Sequence, residues 1–193
     1  MLQIIDEIGD LSTPKGKDES RAQLSAAYIR WGQAQRDHDE VAEAHRALPA
    51  ALAEVRDAGL GTGLHTAGVS ASRLSNLLPL LDWVGLDVKT HWPQYPGLTG
   101  VAGSGAAAKA ALTLVLNAGI AYEVRTTAHP QWLPDQSLLH LQQELAAEGV
   151  KHFAVQLYQS TGAALADCPP AVAADYPSSL QQSHRFQTLL VRD

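Results

Sequence analysis

The chain has 193 residues, 46% of them hydrophobic and 18% charged, with a formal net charge of −6 from 14 basic and 20 acidic side chains. That length and balance fit one domain with a hydrophobic core and exclude a disordered chain. No cluster of Lys and Arg gives the footprint of a nucleic-acid binder, and no run of about 18 apolar residues could span a membrane. The opening "MLQIIDEIGD" is acidic and too short in its apolar part for a signal peptide. The cytoplasm is therefore the expected location, with neither nucleic acid nor membrane as a partner. A lone cysteine, Cys168 in "ADCPPA", excludes an intrachain disulfide framework and any site built from several thiolates.

In chain order, residues 11–20 read as an exposed linker. Residues 19–58 read as mostly helical, with Gly32 and Pro49 the main breakers. Their first half, "GQAQRDHDEVAEAHR", is polar and shows no apolar stripe. The second, "ALPAALAEVRDAGLG", reads as a helix feeding a strand. Four strand-like runs follow: "TGLHT" from Thr62, "WVGLDVK" from Trp83, "AYEVRTT" from Ala121 and "HFAVQLY" from His152. Between them, residues 70–81, 103–118 and 134–148 have helical leucine or alanine spacing. Glycines 119 and 149 stop the last two, and Ser104 is a candidate N-cap. Strand followed by helix followed by strand predicts parallel pairing. After Tyr158 the chain loosens, then offers a helix near residues 180–184 and a last strand, "FQTLLV". The organisation is thus a divergent helical segment (1–47), a barrel-like unit (48–158) and a loop-rich tail with a final strand (159–193).

Side chains alternate across a strand. Val84, Leu86 and Val88 oppose Gly85, Asp87 and Lys89. Tyr122, Val124 and Thr126 oppose Glu123, Arg125 and Thr127. Phe153, Val155 and Leu157 oppose Ala154, Gln156 and Tyr158. A doubly wound sheet buries both faces and gives near-continuous apolar runs. One apolar and one polar face instead predict an α/β partial barrel, with helices outside and polar groups inside near the C-terminal rim. His65, Thr66, Asp87, Lys89, Glu123, Arg125, Thr127 and Gln156 fall at that rim. Two readings stand: the charges pair with one another, or they line a ligand site. A zwitterionic ligand would suit a lining of mixed sign.

Several motifs are absent. "GVAGSGAAAK" is neither a Walker A loop nor a dinucleotide fingerprint. There is no G-x-S-x-G elbow, no H-E-x-x-H and no Cys/His ligand spacing. His129 before Pro130 reads as a loop residue. His65 reads equally as a hydrogen-bonded lining residue or a catalyst.

"GLHTAG", "LPLLDWVGLDVKT", "YPGLTGVAGSG", "AYEVRTTAHP", "HFAVQLYQ" and the closing "FQTLLVRD", in that order, resemble the later part of radical S-adenosylmethionine activating proteins. The match is to the anaerobic ribonucleoside-triphosphate reductase activating family, over residues from about 48 onward. The resemblance implies strands three to six of a (β/α)6 barrel. It implies an oxidoreductase that uses S-adenosylmethionine and a 4Fe-4S cluster to make a glycyl radical on anaerobic ribonucleotide reductase, or on another glycyl radical enzyme. It carries Thr66, Asp87, Lys89 and Arg125 to the S-adenosylmethionine site, with His65 at a position where some relatives have an acidic residue. The family's C-x-x-x-C-x-x-C and Gly-Gly-Glu-Pro motifs are missing, so the cluster has no ligands here. These absences point to a truncated or frame-shifted copy, inactive as written, with no catalytic and no metal residues assigned. A non-catalytic α/β module that binds a small molecule or a partner is the alternative. Loss of two strands would leave "TGLHT" as an open edge, covered by the N-terminal segment or by a dimer.

Overall fold

The computed structural model describes residues 2–3, 38–159, 169–181 and 183–192. The first helix, α1, spans His38–Asp57 and crosses the boundary expected at residue 47 without a break. Pro49 lies inside it, where a prolyl ring normally interrupts the hydrogen-bond ladder. Leu48 and Leu52, on either side of that proline, are buried in the core. The helix ends on Gly59 in the left-handed region, φ 73°. Gly59 N–H bonds Arg56 O and Leu60 N–H bonds Val55 O, a Schellman closure that only a residue tolerant of positive φ permits cheaply.

Strand β2 (Gly63–Thr66) leads into α2 (Ala71–Leu77), which Ser70 caps by accepting from Arg73 N–H. The helix expected through residue 81 changes at Leu78 into a 3-10 turn, Leu78–Leu80, because Pro79 brings no N–H to continue it. Strand β3 (Trp83–Asp87) is followed by a short α3 (Tyr95–Thr99) and by α4 (Ser104–Asn117). Ser104 is not the N-cap. Gly103 holds that position at φ 77°, and the Ser104 hydroxyl turns back to donate to Val101 O at 2.8 Å. Strands β4 (Ala121–Ala128) and β5 (His152–Leu157) flank α5 (Asp135–Ala147). The helix expected near residues 180–184 is a turn followed by one 3-10 turn, Ser183–Arg185. The last strand, β6, is Thr188–Arg192.

With β1 (Leu2–Gln3) at its edge, the sheet order is β1-β2-β3-β4-β5-β6. From β2 to β6 every pair is parallel, so the sheet has five parallel strands where four were expected, the last supplied by the tail. Spatial order equal to chain order means that every crossover steps in the same direction. Crossovers of one hand then lie on one face, which is the arrangement of a barrel wall. The fold is an α/β partial barrel. Its helix-side face carries Leu64, Val84, Leu86, Val124, Phe153 and Val155, all packed in one core with leucines of α2, α4 and α5.

The outer edge of β2 is met by β1, only Leu2–Gln3, antiparallel, with Leu2 opposite Thr66 and Gln3 opposite His65. That two-residue strand meets the C-terminal end of the edge. The linker expected at residues 11–20, the helical start at 19–37 and Cys168 lie outside the described residues.

Candidate functional site

Register brings the charges together. Asp87 pairs with Arg125 across β3 and β4, and Arg125 pairs with Ala154 on β5. All three point to the face opposite the buried Leu86, Val124 and Val155. Lys89 lies two residues past Asp87, just outside the strand. Its backbone is fixed there because Lys89 N–H donates to the Tyr95 hydroxyl at 2.8 Å. Burial and the nearby Asp87 charge push the Tyr95 phenol up to about 12, although the Lys89 bond opposes them.

Asp87 is the hub. One carboxylate oxygen accepts from Lys89 Nζ at 2.7 Å and the other from Arg125 Nε. Burial acts to raise the Asp87 carboxyl. The Lys89 ammonium and the Arg125 guanidinium outweigh it and hold the group below its ordinary value. The side chains differ in exposure: 8% for Arg125, 22% for Asp87 and 38% for Lys89. Arg125 thus spends its Nε on Asp87, while its two terminal amines have no hydrogen-bond partner among the described residues. A guanidinium buried to this degree with unused donors is a seat for an anion.

Glu123 does not join that cluster. It is held by Arg192 of β6 through two bonds of 2.8 Å each, a bidentate pair crossing over β5. Arg192 was not among the residues expected at the site. Its signal was present in "LLVR": Leu190 and Arg192 share a face, and that face is the inner one once β6 lies beside β5. Ala154, the small residue between the two charge pairs, is fully buried. Thr127 and Gln156 sit one register step nearer the rim, both half-buried.

His65 and Thr66 part company. His65 is on the inner face opposite Gly85, its ring edge-on to Trp83 with centroids 4.8 Å apart. A Cβ on Gly85 would lie 2.6 Å from the Trp83 ring and closer still to His65 Nδ1, so both rings fill space that only glycine leaves. Thr66 lies on the helix side, level with Leu86, and its hydroxyl accepts from Gly68 N–H at 3.0 Å. The structure therefore assembles Asp87, Lys89 and Arg125, with His65 two residues below on the same face, and gives Thr66 to the turn. His129 is buried in its loop, as a loop residue should be. Its Nδ1 accepts from Gln131 N–H and its Nε2 is 3.0 Å from Pro169 O.

A depression of about 470 Å³ opens at the other pole, where β4 and β5 begin, lined by Ile120, Tyr122, Lys151 and His152 among others. None of the expected residues lines it. Among the described residues no group of three or more His, Cys, Asp or Glu is placed to hold a metal ion. Nor is any helix there long and apolar enough to cross a membrane. No family model matches the chain, and no curated protein matches it.

Proposed function

We propose that the inner face binds a small molecule with an α-amino-acid end, and that this molecule is S-adenosylmethionine or a close derivative. The observation carrying the reading is Arg125, whose guanidinium has both terminal amines without a partner among the described residues, beside an ion-paired Asp87 and Lys89. A carboxylate accepts two parallel N–H bonds from such a fork. Thr127 and Gln156 add polar groups next to it. The resemblance to glycyl-radical activating enzymes supports the choice of ligand.

The 4Fe-4S cluster does not fit this chain. The family motif needs three thiolates, and Cys168 is the only cysteine. No step is therefore routed through a cluster, and on this reading the chain is a cofactor-binding relative of the activating enzymes rather than a radical generator. The partner that the resemblance implies is anaerobic ribonucleotide reductase or another glycyl radical enzyme, and the compartment is the cytoplasm.

The test is a thermal shift and calorimetry with S-adenosylmethionine on the full chain and on Arg125→Met. Ligand at 100 times its dissociation constant adds about 2.7 kcal/mol to stability. Wild type gains that shift and the variant does not. Binding of neither S-adenosylmethionine nor S-adenosylhomocysteine to wild type refutes the reading. Anaerobic reconstitution is the second arm: a 4Fe-4S absorbance band would overturn the non-radical assignment.

A further inference from the structure

The inner face carries five charged side chains among the described residues. Lys89, Arg125 and Arg192 are cations, and Asp87 and Glu123 are carboxylates, which leaves one positive charge in excess. Both carboxylates are already committed. Asp87 is shared between Lys89 and Arg125, and Glu123, with a side chain only 13% exposed, is gripped by both amines of Arg192. The unused donors belong to a cation, and neither carboxylate is left without a cation.

This asymmetry bears on the charge that a ligand of the inner face can carry. S-adenosylmethionine has a carboxylate, an ammonium and a sulfonium, so it is a cation overall. S-adenosylhomocysteine has the same carboxylate and ammonium but a neutral thioether. Arg125 serves the carboxylate of both equally. The sulfonium, brought into a face whose described residues carry net positive charge and no uncommitted carboxylate, meets repulsion that a partly buried site screens poorly.

We infer that the inner face selects the neutral thioether over the sulfonium, and that the Glu123–Arg192 pair sets this preference by withholding the Glu123 carboxylate. The inference rests on the amino-acid reading of the site given above. Titration calorimetry on the full chain, with S-adenosylmethionine and S-adenosylhomocysteine at low and high salt, tests it. S-adenosylhomocysteine should bind at least as tightly, with its advantage shrinking as salt rises. Arg192→Met releases Glu123 and should move the affinity ratio toward S-adenosylmethionine by about fivefold or more, a shift of roughly 1 kcal/mol. Because the readout is a ratio, a loss of stability in the variant does not mimic it. S-adenosylmethionine binding more than about threefold tighter to wild type would overturn the selection while leaving the site intact. An unchanged ratio in Arg192→Met would overturn the role of the pair. Failure of both ligands to bind would instead overturn the site reading itself.

Discussion

Replacing Asp87 by Asn removes the hub of the inner face while keeping its shape and one acceptor. The cost follows from its two partners. Hydrogen bonds to charged groups contribute about 1.5–3 kcal/mol each when buried, and exposed ion pairs about 0–1 kcal/mol. Arg125 is nearly enclosed and belongs to the first class. Lys89, more than a third exposed, belongs to the second. With Asp87 itself about one-fifth exposed, the sum is roughly 2–3 kcal/mol at pH 7. The pH dependence supplies a sign. The Asp87 carboxyl is depressed in the folded chain, so its stabilisation is fully present above the ordinary carboxylate value. It is lost as pH falls through the depressed folded value. Urea unfolding of wild type and Asp87→Asn, repeated from pH 7 downward, should show a gap that narrows steadily below about pH 4. A gap that stays constant on acidification would refute the argument, because the neutral acid and the amide would then differ for a reason other than charge.

Gln142 on α5 is fully buried, and neither its Nε2 nor its Oε1 has a hydrogen-bond partner among the described residues. Gln142→Met, of similar shape, should raise stability by about 1–3 kcal/mol in urea unfolding; a loss of stability would mean that the amide has a buried water partner. Tyr95→Phe deletes the acceptor that fixes Lys89 N–H and should cost about 1 kcal/mol at neutral pH. Because the phenol is raised to about 12, its wild-type contribution is complete below pH 10 and fades as pH climbs toward 12. Unfolding curves for wild type and Tyr95→Phe should therefore converge across that window. Glu123→Gln should weaken the bidentate pair and cost roughly 1–2 kcal/mol in the same assay, with β6 gaining faster amide exchange than β4.

The strands were legible because their alternation is regular. In "WVGLDVK" and "AYEVRTT" each face is of one character, and the observed register places those faces as the period-2 reading requires. The Asp87–Lys89–Arg125 cluster was legible for the same reason: parity and neighbouring strands suffice to bring the three together. Glu123 was assigned to the wrong group of charges. Its partner comes from a strand 69 residues away, and nothing local announces which edge that strand takes. Thr66 was placed inside because it stands near a strand end, but parity put it with Leu64 and Leu86, and the following glycine turn used its hydroxyl. Ser104 lost the N-cap to Gly103 because the chain enters α4 through a left-handed residue, which favours glycine. Pro49 was a poor breaker because α1 continues beyond it on both sides, with Leu48 and Leu52 anchoring it to the core.

Gly85 has an evolutionary corollary. The volume above it is owned jointly by His65 and Trp83, residues on two different strands that meet only because the third position is empty. Among homologous chains these three positions should drift together. A methyl group at 85 would be tolerated beside a smaller residue at 65, and a larger side chain at 65 or 83 would hold 85 at glycine. Such a triplet ties the side chains of β2 and β3 to one another on the inner face, so its composition marks whether a related chain fills that space in the same way.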